Sequence, residues 1–391
     1  MKVLFWMFIG FDRHATSEHL LCAVIEQLCR AGHTVHLVQK DTGGELPAIP
    51  TRLKDYPVTV DVVSAPAADK RNFAARYLAD LCYIRACRKR FASDYDAAFI
   101  QSDNVAGFAV RAVKRKAPAA RVTFNVQDVF PCNAVLGGKL KQNGWLYKAL
   151  AAVQRCGYRR ADRIITISED MKDTLVAGGT APDKIEVIYN WSYQDALYEN
   201  RDFSPVEHLF HPGRFRVVYA GNVGVMQNVE LLIETAERMR DDPSVAFYII
   251  GGGVYREKLE TTVRDRGMEN VTFIPMQPPE LAPLIYGAAD VNVIPLVKDG
   301  YRTALPSKTA TCLACGKPVI FAIGKQSRFG ARVREEAGAI VTEPDQPDEL
   351  AAAIRAVQNG AKATGAGAFF LKYCGITANS KRYAELIAGK G

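Results

Sequence analysis

The chain has 391 residues, with 48% apolar and 24% charged side chains, which is the composition of a soluble globular protein and gives room for two domains. It contains no apolar run of about 18 residues, which excludes a membrane-spanning helix. Residues 1–190 hold 27 basic and 19 acidic residues, whereas residues 191–391 hold 23 of each, so the net charge of +8 belongs to the first half.

The first half alternates short apolar strands with helices. Residues 2–7 are apolar, and Asp12 and Arg13 follow them without a small-residue cleavage site, so we expect the first strand of a cytoplasmic protein and no secretion signal. Further strands are predicted at 34–38, 58–63, 97–100, 121–125, 164–167 and 185–188, and helices at 16–29, 105–116 and 169–177. Such a pattern predicts a parallel sheet covered on both faces.

Basic residues are concentrated at 70–163, where 19 basic residues stand against 6 acidic ones. This charge fits anionic lipid headgroups, nucleic acid or a phosphorylated substrate, or else an ordinary solvated helix face. We favour a membrane surface over nucleic acid because the basic residues share a predicted helix with Tyr83, Ile84 and Phe91. The predicted membrane-surface residues are Arg85, Arg88, Lys89 and Arg90.

A polar stretch containing proline interrupts the alternation, and we interpret residues 191–213 as an interdomain linker. Strands then follow at 216–220, 246–250, 271–274, 291–294, 319–320 and 339–341, with helices at 228–239, 255–266 and 281–287. The sequence therefore predicts an α/β protein of two doubly wound Rossmann-like domains, at 1–190 and 214–370, facing each other across a cleft. Residues 371–391 are predicted to form a helical segment that packs back on the first domain.

Glycines follow the first two predicted strands of the second domain. Gly221 and Gly224 enclose Asn222 at the first strand-to-helix turn, and three glycines at 251–253 end the second strand. Glycine permits positive φ and a close approach of the backbone to a phosphate, although a tight turn needs the same residues. A GxGxxG pattern is absent from both domain starts, which argues against an NAD enzyme.

The segment at 301–320, YRTALPSKTATCLACGKPVI, combines a polar loop with a short helix of small residues. Arg302, Ser307 and Lys308 precede this helix. A loop that offers a hydroxyl and two cations where a helix begins suits an anion, because the helix N-terminus adds free N–H groups. The CxxC at 312–315 has no second pair of ligands at zinc spacing, so we interpret its thiols as packing residues.

Asp128 follows a predicted strand of the first domain. It either faces the expected cleft, where it could orient an acceptor hydroxyl or a sugar, or caps the segment that follows. His14 follows the first strand near the same edge and is either a ligand contact or a surface histidine. No group of His, Asp and Glu has metal-ligand spacing, so we expect no metal and no bound cofactor.

Several blocks resemble, in the right order, family 4 glycosyltransferases of the GT-B fold. The first-domain blocks are GHTV at 32–35, ADRIITIS at 161–168 and VIYNW at 187–191, which resemble the family's GHxV, ADxIIxxS and VIxNW. The second-domain blocks are FYIIGGGVYREK at 247–258 and ADVNVIPL at 289–296. The resemblance covers nearly the whole chain and implies retaining transfer of a sugar from a nucleotide donor.

The chain is most similar to a branch of bacterial surface-polysaccharide assembly in which an R-T-x-x-P-S-K loop recurs; here the loop is RTALPSK at 302–308. Asp128 begins DVFP, which is similar to the branch's D-L-W-P. Asn222 and Gln227 resemble its G-N-x-G-x-x-Q, which lacks the cations that hold the donor diphosphate elsewhere in the family. Arg302 and Lys308 are the expected substitutes for those cations.

The resemblance implies a donor site in the second domain and an acceptor site in the first. The partners expected are a nucleoside diphosphate sugar, with UDP favoured, and a lipid-linked saccharide at the inner face of the cell membrane. The predicted catalytic residues are Asp128, Arg302 and Lys308, and the predicted acceptor contacts are Gly10, His14 and Asp128. The predicted donor contacts are Gly221, Asn222, Gly224, Gln227, Gly252, Tyr301, Thr303, Ser307 and Thr311.

Two positions depart from the family pattern. Thr311 stands where the family has a Glu that binds the ribose hydroxyls, and Thr303 stands where it has a partner Glu. A neutral hydroxyl is a weaker acceptor than a carboxylate by about 1–2 kcal/mol. Two alternatives therefore stay open: a non-catalytic GT-B scaffold that has lost donor binding, and a non-hydrolysing sugar-nucleotide epimerase, for which the sequence lacks a convincing acid/base carboxylate set.

Overall fold

The computed structural model describes residues 1–11, 18–41, 49–66, 73–198, 201–361 and 364–390. The chain forms two compact units. The first unit consists of Met1–Asn190 together with Ile376–Gly391, and the second consists of Trp191–Gly375. His14 lies outside the described residues.

The first unit is built on a seven-stranded parallel sheet in the order β3-β2-β1-β4-β5-β6-β7. All seven strands were predicted from their apolar residues, which are buried throughout 97–100 but only at the two ends of 58–63. The strands are β1 (Lys2–Trp6), β2 (Thr34–Lys40), β3 (Val58–Val63), β4 (Ala97–Gln101), β5 (Arg121–Val126), β6 (Arg163–Thr166) and β7 (Ile185–Val187). The helices between them are α1 (Glu18–Arg30), α2 (Phe73–Arg90), α3 (Ala106–Lys116), α4 (Cys132–Leu136), α5 (Trp145–Arg160) and α6 (Glu169–Ala177).

The second unit has a six-stranded parallel sheet in the order β10-β9-β8-β11-β12-β13. Its strands are β8 (Phe215–Ala220), β9 (Val245–Ile250), β10 (Val271–Ile274), β11 (Val291–Pro295), β12 (Val319–Ala322) and β13 (Ile340–Thr342). Its helices are α7 (Ser204–Glu207), α8 (Glu230–Arg238), α9 (Arg256–Asp265), α10 (Ala282–Ala288), α11 (Thr309–Ala314), α12 (Arg328–Ala337), α13 (Pro347–Gln358) and α14 (Ala366–Tyr373). Two Rossmann-like units are the fold class that the sequence predicted.

The stretch 191–213, predicted as an interdomain linker, is instead part of the second unit. The Tyr198 N–H donates to the Ala314 carbonyl at 2.9 Å, and the His211 N–H donates to the Tyr248 hydroxyl at 2.8 Å. Its polar composition misled the prediction, because a segment that lies on the surface of a domain can be polar and still be fixed by backbone hydrogen bonds.

The chain returns to the first unit at its end. The last helix, α15 (Ile376–Ala388), packs against α1. Tyr383 of α15 is 1% exposed, and its hydroxyl lies 3.2 Å from Asn125 Oδ1 in β5. The predicted boundary at 371 falls inside α14, so the segment that joins the first unit begins five residues later, at Ile376.

Each sheet has one point at which its strand order reverses, between β1 and β4 in the first unit and between β8 and β11 in the second. Ligands of doubly wound sheets bind at such a point, outside the carboxyl ends of the strands. The loops that follow β8 and β11 therefore contain the residues to examine in the second unit, and those after β1, β4 and β5 in the first.

No described helix has the length and apolarity needed to cross a bilayer. Within the same residues, no group of three or more His, Cys, Asp or Glu side chains could hold a metal ion. Cys312 and Cys315 are buried free thiols, and burial raises the pKa of Cys315 to about 12.

Candidate functional site

Lys308 lies against the glycine turn that follows β8. Its Nζ atom is 3.7 Å from the centroid of the Tyr219 ring. Tyr219 is 1% exposed, and its hydroxyl donates to the Asn222 carbonyl at 2.5 Å. A Cβ atom on Gly221 would stand 2.6 Å from Lys308 Nζ. A side chain at residue 221 would therefore push the amine away from its present contact with the turn.

The amine of Lys308 is buried, and no acceptor within the described part of the chain takes a hydrogen bond from it. Burial lowers its pKa to about 7. A buried amine without an acceptor costs free energy, and the face of an aromatic ring compensates only part of that cost. Oxygen atoms of an anionic ligand on the Gly221 turn would supply the missing acceptors.

The turns after β8 and β9 contact each other through backbone atoms. The Val223 N–H donates to the Gly252 carbonyl at 2.8 Å. Gly251 has φ +143°, and a Cβ atom there would lie 1.9 Å from the Gly221 carbonyl oxygen. A Cβ atom on Gly253 would lie 2.2 Å from the Val223 carbonyl oxygen, whereas one on Gly252 would meet no atom within 4 Å. Gly252 thus faces open space beside two close-packed turns.

The side chains of Asn222 and Gln227 form an amide pair across the same turn. Asn222 Nδ2 donates to Gln227 Oε1 at 3.1 Å. A Cβ atom on Gly224 would lie within 2.8 Å of both amides. The turn therefore presents neutral donors, and the structure brings Gly221, Asn222, Gly224, Gln227 and Lys308 together as the sequence predicted.

Arg302 has a different environment. Its Nε atom lies 3.1 Å from Asp299 Oδ1, and its guanidinium lies over the Tyr301 ring at 5.6 Å. Ser307, one residue before Lys308, is exposed. Lys308 is therefore the predicted cation that contacts the glycine turn, while Arg302 is engaged by a carboxylate of its own loop.

The two threonines that depart from the family pattern are both buried and hydrogen-bonded inside the second unit. Thr311 Oγ1 lies 2.9 Å from Ser192 Oγ, which in turn lies 3.0 Å from the Tyr198 hydroxyl. Thr303 donates to the Gly300 carbonyl at 3.1 Å. Both hydroxyls thus have protein partners in the absence of a nucleotide.

In the first unit, Asp128 stands at the carboxyl end of β5, beside a chain of side-chain amides. Asn190 Nδ2 donates to Gln127 Oε1 at 2.9 Å, and Gln127 Nε2 donates to Asn125 Oδ1 at 3.2 Å. Desolvation raises the pKa of the Asp128 carboxyl to about 7, although the residue retains an exposed surface. Gly10 was also predicted to contact the acceptor. It lies within the described residues and is buried in the segment after β1.

A cavity of about 440 Å³ lies beside the residues that follow Asp128 and is lined in part by Phe130, Tyr147 and Arg155. Gln154 also lines it. The Gln154 side chain is 2% exposed, and its Oε1 atom has no hydrogen-bond partner among the described residues. A buried carbonyl oxygen of this kind can accept a hydrogen bond from a hydroxyl group of a ligand.

The predicted membrane-surface residues lie on α2. Arg85 and Arg88 line a cavity of about 330 Å³ together with Arg111 and Arg115 of α3. In the part of the chain that the structure describes, none of these four guanidiniums pairs with a carboxylate. Lys89 is exposed, and Arg90 lies 3.5 Å from Asp61. Arg111 and Arg115 were not among the predicted membrane-surface residues, although both stand in the basic stretch at 70–163.

Sequence reasoning also missed two residues that shape the donor side. Tyr219 supplies the ring below Lys308. Arg256 donates to the Gly251 carbonyl, and to the Ile274 carbonyl at 2.7 Å, which fixes the turn after β9. An arginine three residues after a glycine run was a usable signal. A tyrosine inside a buried strand was not, because its pattern is that of a core residue.

Two protein families match the chain, one for each half. The family described as "Glycosyl transferase 4-like domain" matches residues 18–191, and the family described as "Glycosyl transferases group 1" matches residues 214–359. The two matches together cover most of both units.

Curated relatives carry related names. The chain is 29% identical over 250 residues to WcaI of Escherichia coli K12, which is named as a colanic acid biosynthesis glycosyl transferase; the alignment covers 61% of this chain and 60% of WcaI. It is 25% identical over 233 residues to WbjE of Pseudomonas aeruginosa, named as a glycosyltransferase, covering 59% of this chain and 58% of WbjE. The chain thus spans about three fifths of the length of these relatives.

Solved structures share the fold over the full chain. HepE of Anabaena, crystallised in complex with UDP, has a TM-score of 0.73 at 18% identity and full coverage of both chains. WaaG, which is described as a glycosyltransferase of lipopolysaccharide biosynthesis, has a TM-score of 0.71 at 14% identity, covering 99% of this chain and 100% of WaaG. At these identities the likeness concerns the fold.

Proposed function

We propose, on the premise that this chain belongs to the glycosyltransferase family of the two matched domains, that it transfers a sugar from a nucleoside diphosphate donor to a lipid-linked saccharide. The observation that carries the proposal is the amine of Lys308. It is buried without an acceptor, directly against the Gly221 turn, at the point where the strand order of the second sheet reverses. A diphosphate is the ligand that matches a cation beside a glycine turn with an absent side chain.

UDP is the favoured nucleotide because the fold neighbour HepE was crystallised with UDP and with UDP-glucose. The sugar is a hexosyl or N-acetylhexosaminyl group. The diphosphate would be surrounded by Gly221, Asn222, Gly224, Gln227, Gly252, Ser307 and Lys308. The nucleoside would lie toward Tyr301, Thr303 and Thr311. Arg302 shares its charge with Asp299 through Nε, so we give Lys308 the larger share of charge neutralisation.

In the proposed reaction the bond between the sugar and the diphosphate breaks, and the acceptor oxygen bonds to the same carbon on the same face. The acceptor proton passes to the departing phosphate. Lys308 stabilises the negative charge that develops on the leaving group, which is electrostatic catalysis that needs neither a protein nucleophile nor a metal. The configuration at the sugar carbon is retained.

The first unit would bind the acceptor. Asp128 lies at the carboxyl end of β5 and is exposed, so its carboxyl can accept a hydrogen bond from a hydroxyl of the acceptor. The cavity beside the residues that follow it offers the unpartnered Gln154 carbonyl and the aromatic faces of Phe130 and Tyr147. His14 and Gly10 remain proposed contacts at the loop after β1. The names of WcaI and WaaG refer to surface polysaccharides, which supports a lipid-linked saccharide as acceptor.

A peripheral contact with the anionic inner face of the cell membrane belongs to this proposal. Arg85, Arg88, Arg111 and Arg115 gather around one cavity without carboxylate partners among the described residues. An unpaired cluster of guanidiniums attracts phosphate groups of lipids. Binding to anionic vesicles should therefore weaken with added salt and with neutralisation of Arg88, Lys89 and Arg90.

One observation favours a second candidate, a GT-B scaffold that has lost donor binding. The hydroxyls of Thr303 and Thr311 stand where the family has carboxylates, and both are engaged in internal hydrogen bonds. A nucleotide would meet a Thr311 hydroxyl that is already hydrogen-bonded to Ser192.

A panel of nucleoside diphosphate sugars in a thermal-shift assay distinguishes the two candidates. The transferase proposal expects one nucleotide class to raise the melting temperature, because a ligand that binds only the folded state stabilises it. The same donor, radiolabelled in its sugar, should then label a lipid-extractable product of bacterial membranes. Stabilisation by none of the sugar nucleotides would contradict the transferase proposal and leave the scaffold.

A further inference from the structure

The first two residues of α5 expose large apolar side chains. Trp145 is 80% exposed and Leu146 is 37% exposed, whereas the other two tryptophans, Trp6 and Trp191, are buried. The neighbouring apolar cluster is formed without them: Phe130, Ala134 and Leu150 pack together, with Tyr77 and Leu140 against them. The exposed pair therefore has no visible role in the core of the unit.

The charged residues that flank this pair along the chain have one sign. Lys139, Lys141 and Lys148 are exposed, and none of them forms an ion pair with another described residue. The sequence contains no Asp or Glu from residue 129 to residue 161. A single exposed apolar residue is ordinary on a protein surface. An exposed Trp-Leu pair among three lysines and no acids is the composition of an interfacial membrane contact.

The position of the pair in the fold agrees with this composition. A helix between parallel strands runs opposite to them, so α5 begins near the carboxyl end of β5 and ends near the amino end of β6. Trp145 thus lies toward the edge of the sheet that carries Asp128. The cluster of Arg88, Arg111 and Arg115 lies farther along α2 and α3, toward the opposite edge.

We propose that residues 139–148, the anchor segment, seat the first unit on an anionic lipid bilayer, with Trp145 and Leu146 entering the interfacial layer and the three lysines contacting lipid phosphates. We choose a bilayer over a protein partner because a bilayer has anionic headgroups next to an apolar layer. The headgroups complement the three lysines, and the apolar layer complements Trp145 and Leu146. The anchor segment is a contact separate from the electrostatic one proposed for the arginine cluster. It stands whether or not the chain transfers sugar.

The tryptophans make the first test direct. Since Trp6 and Trp191 are buried, a change in tryptophan emission on binding reports mainly on Trp145. Adding protein-free vesicles of phosphatidylglycerol and phosphatidylcholine to the full chain should shift the emission to shorter wavelength and reduce its quenching by acrylamide. Pure phosphatidylcholine vesicles should have a smaller effect. Unchanged emission and quenching with the anionic vesicles would overturn the proposal.

Substitutions provide the second test. Co-sedimentation of the double variant Trp145→Ala, Leu146→Ala with anionic vesicles should fall about tenfold or more, since interfacial binding scales with the apolar area inserted. Val254→Ala is the matched control, because Val254 is 84% exposed in the second unit and should sediment like wild type. Thermal unfolding checks that both variants are folded. Wild-type sedimentation of the double variant, or binding only to native membranes that contain protein, would overturn the lipid assignment.

The outcome is separable from the proposed activity. Sugar-nucleotide binding measured without vesicles should be the same in wild type and in the double variant, because the anchor segment and Lys308 belong to different units. Loss of vesicle binding with intact nucleotide binding supports the anchor. Absence of nucleotide binding in wild type would contradict the transferase and leave the anchor unaffected.

Discussion

At the scale of single residues, the hydrogen-bonding capacity of the buried Lys308 amine is not satisfied within the described part of its own unit. Its amine touches the Tyr219 ring and the Gly221 turn, and the described residues offer it no acceptor. Burial has already lowered the pKa of this amine to about 7. A ligand that brings negative oxygen atoms would restore the ordinary pKa, so binding and protonation of Lys308 are thermodynamically linked.

This linkage predicts how donor affinity depends on pH. The charged amine is populated below pH 7 in the free protein and is lost above it, whereas the bound diphosphate requires the charge. The affinity for UDP-glucose should therefore be highest near pH 6 and fall by up to about tenfold per pH unit above 7. Calorimetry in buffers of different ionisation enthalpy should show proton uptake on binding. An affinity that is constant between pH 6 and pH 9 would contradict the assignment.

The same residue should cost stability in the absence of ligand. Because the pKa of Lys308 is lower in the folded than in the unfolded state, the unfolded state binds more protons from pH 7 up to the ordinary lysine pKa. Wild-type stability should thus rise with pH through that window. At pH 6, Lys308→Met should raise the free energy of unfolding by about 1–3 kcal/mol, since it removes a buried amine without an acceptor.

Urea denaturation measures this effect, and Lys317→Met serves as the matched control in the same unit. Lys317 lies over the Phe203 ring at 6.0 Å and shows no unpartnered buried amine, so its replacement should change stability little. A Lys308→Met variant that is less stable than wild type would show that the amine contributes to folding and is not held for a ligand.

The donor-binding role of Lys308 stays a prediction; the structure places its amine at the Gly221 turn. The RTALPSK pattern did not show that Arg302 pairs with Asp299 or that Thr311 pairs with Ser192. Those partners depend on the paths that the loops take in space. Hydrophobic periodicity in the sequence does not predict these paths.

At the scale of elements, the paired turns after β8 and β9 give the donor side its shape. Gly251→Ala should destabilise the protein by about 3 kcal/mol or more, because the new Cβ atom would collide with the Gly221 carbonyl oxygen at a positive φ. Gly252→Ala should change stability by less than about 1 kcal/mol, because its Cβ atom meets open space. Equal stabilities of the two variants in urea denaturation would contradict the described packing of the turns.

The returning helix α15 provides a second test at this scale. Tyr383→Phe removes the hydroxyl that contacts Asn125 Oδ1 and should cost about 1–2 kcal/mol. Amide hydrogen exchange should locate the effect: β4 and β5 lose protection, while β8 and β9 in the second unit do not. Tyr373→Phe, whose hydroxyl contacts Glu336 in the second unit, is the matched control. Equal loss of protection in both units after Tyr383→Phe would contradict the placement of α15.

The elements themselves were largely predictable. Strands such as β1 and β9 are continuous apolar runs, and burial on both faces explains the run. Residues 191–213 were misread as a linker because surface polarity resembles linker composition. Helix α5 was not predicted. Trp145 was noted among the aromatic residues of the basic stretch at 70–163, but the sequence did not show that its side chain is exposed, because an aromatic residue at a helix start has the pattern of a core residue.

At the scale of the whole molecule, the chain consists of two units with different chemistry. The first carries the excess basic charge, the anchor segment and the proposed acceptor residues, whereas residues 191–391 are neutral. The second carries the glycine turns and Lys308. The two families that match the chain correspond to these two units.

The central claim is that the second unit binds a nucleoside diphosphate through Lys308, and calorimetric titration of UDP at pH 6.5 tests it most directly. Wild type and Lys317→Met should bind UDP with similar affinity. Lys308→Met should bind it about 10–100-fold more weakly, which corresponds to the loss of a hydrogen bond between charged groups. Wild-type affinity in Lys308→Met, or no UDP binding by the wild-type protein, would contradict the account.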